Sequence, residues 1–166
     1  MATITLKGKE VHTNGDLPIA GAQAPDFRLV QTDLIELSLS ELKGKKVILN
    51  IFPSLDTGVC AASVRRFNKE VASLGNTVVL AISKDLPFAH TRFCTTEGID
   101  NVKPLSAFRD SDFEKNYGVL ITDGHLKGLL ARVVIAIDES GKIIYSELVQ
   151  EIGQEPNYGA VISHIR

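Results

Sequence analysis

Two cysteines, Cys60 and Cys94, are the residues of this chain whose type and setting could do chemistry. Cys60 stands in "NIFPSLDTGVCAASVRRF". An apolar run there breaks into Pro53, Ser54, Asp56, Thr57 and Gly58, and a lone thiol follows where a helix should begin. Cys60, Val64, Phe67 and Val71 recur at helical spacing, with Leu74 continuing the line, so the thiol faces inward from the first turn of that helix. Burial opposes ionisation of a thiol, whereas free amides and the positive end of a helix dipole favour it. The preceding turn tips the balance: Thr57 can offer a hydroxyl hydrogen bond, and Pro53 shapes the loop and shields one side. The expected state of Cys60 is the thiolate, the nucleophilic form of cysteine. Arg65 and Arg66 project off the buried face and suit salt bridges or solvent, and Asp56 is read as structural.

Cys94 lies in "DLPFAHTRFCTTEG", where Asp85 can cap a helix and Pro87 suits its first turn. Leu86, Ala89, His90 and Phe93 mark an inner stripe, and Cys94 falls beside it, near a stop at Gly98. Fraying at that end could free the sulfur without disturbing the core. His12, His90, His125 and His164 show no metal-ligand spacing, so surface or packing roles and no bound metal are expected.

The elements that must position these residues follow from hydrophobic patterning. A length of 166 residues with 44% hydrophobic content suits one core, so a single domain over 1–166 is expected. A net charge of -2 and a pI near 6.1 give no field that would gather nucleic acid, and no apolar run approaches a membrane span. The N-terminus lacks the pattern of a secretory signal, which points to a cytoplasmic protein, where a disulfide is more often transient than a static staple. Residues 1–16 alternate around Lys7-Gly8-Lys9 and read as an N-terminal β-hairpin extension covering one end of the core. "KKVILNIF" and "TVVLAIS" are buried strands, each followed by helical spacing, which makes a parallel βαβ core. "RVVIAID" and "KIIYSELV" flank a turn at Glu139-Ser140-Gly141, and "NYGAVISHI" closes as a helix. The sum is an α/β, thioredoxin-like fold, a central mixed sheet flanked by helices. "GVLITDGHLKGLLA", residues 118–131, reads as a surface loop or short helix, either ordinary edge packing or a partly apolar lining for a substrate or second subunit.

Pro53, Thr57 and Cys60 match the P-x-x-x-T-x-x-C signature of peroxiredoxins, and "FPSLDTGVC", "LPFAHTRFC" and "DGHLKGLLARVV" extend the likeness along the chain. The sequence resembles the bacterial thiol peroxidase subfamily, atypical 2-Cys peroxiredoxins. That resemblance implies a peroxidase for hydrogen peroxide and organic hydroperoxides, with Cys60 peroxidatic and Cys94 resolving in the same chain. It also implies that Thr57 and Arg132 bind the peroxide, that Pro53 shapes the site, that thioredoxin is the reductant, that the protein is a homodimer and that no cofactor is bound. Arg132 is singled out by the resemblance alone.

Moving a thiol's pKa from about 8.5 to near 6 raises its ionised fraction at neutral pH only about thirtyfold. A fast peroxidase must therefore also stabilise the charge that develops as the O–O bond breaks. Two other readings remain open. A thioredoxin-type disulfide oxidoreductase is disfavoured because "CAAS" puts Ser63 where the second thiol of C-x-x-C would stand. A non-enzymatic redox sensor or interaction module would use the same disulfide to change a binding surface without turnover.

Overall fold

The structure, a computed structural model, describes residues 1–71 and 73–166. Its chain opens with β1 (Thr3–Leu6) and β2 (Lys9–His12), paired antiparallel across a two-residue turn at Lys7 and Gly8. Both turn residues have positive φ, 52° and 80°, the twist that suits a tight hairpin. Ile4 and Val11 are buried beneath the hairpin, which caps one face of the core as expected.

The main sheet is built from β3 (Arg28–Val30), β4 (Glu36–Ser38), β5 (Lys46–Ile51), β6 (Thr77–Ser83), β7 (Val102–Ser106), β8 (Val133–Ile137) and β9 (Ile143–Leu148). Its strand order is β4-β3-β7-β6-β5-β8-β9, with β5, β6 and β7 parallel and the other pairings antiparallel. The helices are α1 (Gly58–Val71), α2 (Pro87–Glu97), α3 (Asp112–Tyr117) and α4 (Tyr158–Ile165). The parallel core, the late hairpin and the closing helix all stand where the sequence patterning puts them.

Alternation along the central strands makes two cores. Val47, Leu49 and Ile51 of β5 and Val133, Ile135 and Ile137 of β8 face one side, where Phe27, Phe113 and Tyr117 form an aromatic cluster. Ile48 of β5, Val79 and Ala81 of β6 and Val134 and Ala136 of β8 face the other side and meet Cys60, Val64 and Phe67 of α1 and Val161 and Ile165 of α4. Each fully buried aliphatic or aromatic side chain contributes roughly 1.5–3 kcal/mol, so the periodicity of 2 in the strands and 3.6 in α1 is what fixes Cys60 inside.

Residues 118–131 form no helix; the segment is a loop, exposed at Gly124, His125, Lys127 and Gly128, whose two ends enter the core. Val119, Ile121, Leu130 and Ala131 are fully buried on the face opposite Cys60. The segment doubles back, with Ile121 N–H donating to Leu129 O (2.9 Å) and Ala131 N–H to Val119 O (2.8 Å). Glycines at positive φ, Gly124 and Gly128, turn it, and such irregular pairing carries no periodic signature. It therefore packs away from the thiol and does not line it.

Gly118 ends α3 at φ 65°, and a Cβ there would lie 2.5 Å from Asp16 O and 2.7 Å from Gly15 C. Gly118→Ala is expected to cost at least about 1–3 kcal/mol from the left-handed backbone alone, read as a lower urea midpoint at unchanged slope. A midpoint equal to that of the parent would contradict this packing.

Candidate functional site

The end of β5 feeds a turn rather than a continuing strand. Ser54 O accepts both the Thr57 amide (3.2 Å) and the Thr57 hydroxyl (3.1 Å), while Ser54 Oγ accepts the Asp56 amide (3.1 Å). Thr57 O then accepts Ala61 N–H at 3.0 Å, the bond that starts α1. Cys60 thus lies in the first turn, 0% exposed, where amides lack helical partners and no acidic residue opposes the dipole. Pro53 is buried and Thr57 exposed. The single Thr57 proton goes to Ser54 O and not to the thiol, which leaves the oxygen lone pairs as acceptors.

Ser63 ties α1 to the sheet: Asn50 Nδ2 donates to Ser63 Oγ (3.1 Å), which donates to Cys60 O (2.8 Å). Arg65 pairs with Glu97 and Arg66 with Glu70, both arginine side chains about half-exposed, as their outward spacing indicates. Asp56 points outward to Arg92 at 3.3 Å.

Arg132 is 1% exposed, and its Nε donates to Ile152 O at 2.8 Å. It immediately precedes Val133, which pairs with Ile51 at the end of β5, so the guanidinium sits beside the strand end that leads to Cys60. Alternation turns its side chain to the face of Val134 and Ala136, the Cys60 face. Its charge also acts on Tyr158 of α4, whose phenol is pushed up mainly by burial and by its bond to Glu155, with Arg132 and Arg66 pulling the other way. Arg132 Nη1 is buried with no hydrogen-bond partner among the described residues.

Cys94 is half-buried in the last turn of α2 and packs against the same apolar cluster that holds Cys60. Burial pushes its thiol up, so in this conformation it is held neutral. Gly98 (φ 66°) ends the helix, and its amide and that of Ile99 both donate to Cys94 O. Both cysteines are free thiols.

The start of α2 differs from its sequence pattern. Leu86, not Asp85, is the N-cap residue and is 50% exposed, and within the helix only Pro87 and His90 are fully buried. Asp85 is drawn away because its carboxylate has better partners across the chain: Ser54 Oγ (2.8 Å), Leu55 N–H (2.8 Å) and Ser83 Oγ (2.6 Å). His90 Nε2 meets Ser83 Oγ at 3.0 Å. The spacing of Ser83 and Asp85 at a strand end signals a local turn, but nothing in the local sequence names Ser54 and Leu55 as partners.

A buried thiol at a helix start, on a mixed sheet flanked by helices, defines a thioredoxin-fold oxidoreductase built on cysteine. The Redoxin family profile matches residues 19–162. Thiol peroxidases of Corynebacterium glutamicum and Mycobacterium tuberculosis H37Rv are each 54% identical over 163 residues, 98% of this chain and 98% of theirs. The solved structure of a peroxiredoxin-like protein from Aquifex aeolicus superposes with a TM-score of 0.94 at 42% identity, covering 99% of this chain and 96% of its own. A thiol peroxidase from Chromobacterium violaceum shares the fold, with a TM-score of 0.90 at 24% identity over 98% of this chain and 95% of its own. The chain belongs to the redoxin family and, within it, to the bacterial thiol peroxidases. Its activity is thiol-dependent reduction of peroxides.

Burial lowers His90 from 6.5 to about 4, with Asp85 opposing. The unfolded chain binds this proton below about 6.5 and the native protein does not until about 4, so stability falls as pH drops through that window. The loss is on the order of 3 kcal/mol, at 1.36 kcal/mol per pH unit. Urea midpoints of the parent and of His90→Gln across this range check it; an identical pH slope in both would contradict the assignment.

Proposed function

We propose that Cys60 is the peroxidatic cysteine and Cys94 the resolving cysteine of a cycle closed by thioredoxin. The observation that carries this reading is that both sulfurs pack into one apolar cluster on one face of the sheet, with Cys60 at a helix start and Cys94 at a helix end. The Cys60 thiolate attacks an oxygen of the hydroperoxide, the S–O bond forms as O–O breaks, and the leaving oxygen takes a proton to depart as water or an alcohol. Cys60 is then a sulfenic acid. Arg132 Nη1, without a partner among the described residues, donates to the breaking oxygen pair. The lone pairs of Thr57 Oγ1 accept the hydroperoxide O–H, and Pro53 keeps water from one side.

Cys94 next attacks the Cys60 sulfur, the S–O bond breaks, and water leaves with a disulfide formed. Two cysteines on separate helices must come within a Cα separation of about 7 Å, so the first turn of α1 and the last turn of α2 unwind. That motion also takes Cys94 out of the surroundings that keep it neutral. A thioredoxin dithiol reduces the disulfide and is itself oxidised. The family resemblance adds a cytoplasmic homodimer with no bound cofactor. Among the described residues no helix is long and apolar enough to cross a membrane.

Peroxide consumption by the reduced protein, with and without a thioredoxin reducing system, tests the assignment. Cys60→Ser should consume none. Cys94→Ser should consume a single equivalent and then stop, with no thioredoxin-driven turnover. Turnover by either variant would remove the corresponding role, and a parent protein that halts after one equivalent would be a sensor. Arg132→Lys, which keeps the charge but not the planar fork, should lower kcat/KM for peroxide by about 10²–10³-fold; parent kinetics would exclude Arg132 from the reaction.

A further inference from the structure

Besides the bonds from the Asp100 and Asn101 amides, beyond α2, to Asn68 of α1, three links among the described residues join the turn and helix that carry Cys60 to the helix that carries Cys94. Two of them, Asp56 with Arg92 and Arg65 with Glu97, are ion pairs between largely exposed side chains and hold weakly. The third is Asp85, half-buried between β6 and α2, at the root of the Cys94 helix.

Its carboxylate is fixed from both sides. Oδ1 accepts Ser54 Oγ (2.8 Å), and Oδ2 accepts Leu55 N–H (2.8 Å) and Ser83 Oγ (2.6 Å). The lone Ser83 proton is spent on Asp85, so His90 must carry its own proton on Nε2 and donate it to Ser83 Oγ (3.0 Å). The Asp85 amide donates to the same oxygen at 3.2 Å, and Ser106 Oγ donates to the Asp85 carbonyl. His90 is fully buried, and its Nδ1, the lone-pair nitrogen of that tautomer, has no partner among the described residues. Every bond to Ser83, Ser106 and His90 lies within the β6, α2 and β7 layer. Only the bonds to Ser54 and Leu55 cross to the Cys60 turn.

We propose that Asp85 is a positioning residue: its carboxylate clamps the Ser54–Thr57 turn in the form that presents Cys60 to peroxide, and loss of this clamp is part of the opening that lets Cys60 reach Cys94. Resting on the cysteine roles proposed above, it adds the group that sets the balance between the two conformations. Closed, the clamp favours attack on peroxide; open, it favours condensation with Cys94. Weakening it must move the two steps in opposite directions, which general damage to the site would not do.

The test is rapid-quench mass spectrometry on the full-length reduced protein with hydrogen peroxide. It resolves the peroxide-dependent loss of the Cys60 thiol from the peroxide-independent conversion of sulfenic acid to disulfide. Asp85→Asn, which cannot accept from both hydroxyls, should slow the first step about tenfold or more and speed the second by a similar factor. Ser54→Ala, which removes the bond to Asp85 and the one from the Asp56 amide but leaves the carboxylate and its buried partners intact, should shift both steps the same way by less, and it decides the matter where Asp85→Asn fails to fold. Attack slowed with condensation unchanged or slower, or both steps unchanged, overturns the clamp. The parent protein in the same experiment separates the two layers: no peroxide-dependent change at its Cys60 would overturn the cysteine roles themselves.

Discussion

The register of β5 between its two neighbours is the constraint on which the site depends. Ile51, the last residue of β5, is opposite Ile82 on β6 and Val133 on β8. That pairing brings three stretches of chain to one end of the sheet: the turn leading to Cys60, the loop after β6 with Asp85, and Arg132 just ahead of β8. A slip of one residue in either pairing would turn every side chain on the moving strand to the other face. Alternating burial on both faces makes such a slip expensive, so the hydrophobic pattern that stabilises the sheet also aims the chemistry.

The charge arrangement is spare. On the Cys60 face, Arg132 is the fully buried cation, while Cys94 and His90 are both kept neutral by burial. Arg132 Nη1 is buried with no hydrogen-bond partner among the described residues. A hydroperoxide or the leaving oxygen would supply the missing acceptor. In the proposed cycle the reactivity of Cys94 is withheld until the helix around it loosens.

Much of the fold was legible in the sequence because it is carried by strong periodic signals. β5, β6, β8 and β9 were visible as β-branched runs, α1 as the Cys60–Val71 stripe, and the N-terminal hairpin from its glycine turn. The strands β3 and β4 are three residues each, too short to show a period, and β7 contains Pro104, which argues against a strand. Proline is tolerated there because β3 meets β7 only at Ser106, leaving that side of Pro104 free of ladder bonds. The cysteines were legible from their settings, whereas Arg132 carried no local signal. Its burial comes from a tertiary bond to Ile152 O that no spacing encodes. Asp85 was misread as a helix cap for a similar reason: a carboxylate before a proline-initiated helix satisfies the local rule, and only long-range partners reveal its other use.

The N-terminal hairpin has a role beyond covering the core. Thr5 O accepts Ile152 N–H at 2.9 Å, and Thr5 N–H donates to Gln150 O at 2.7 Å, so β1 grips the very segment whose carbonyl anchors Arg132. Glu151 reinforces the grip through Thr5 Oγ1 and the Gly8 amide, each at 3.0 Å. The opening residues of the chain are thus two hydrogen bonds removed from the Arg132 guanidinium. A fusion that strains this ribbon would pull on the carbonyl that fixes Arg132.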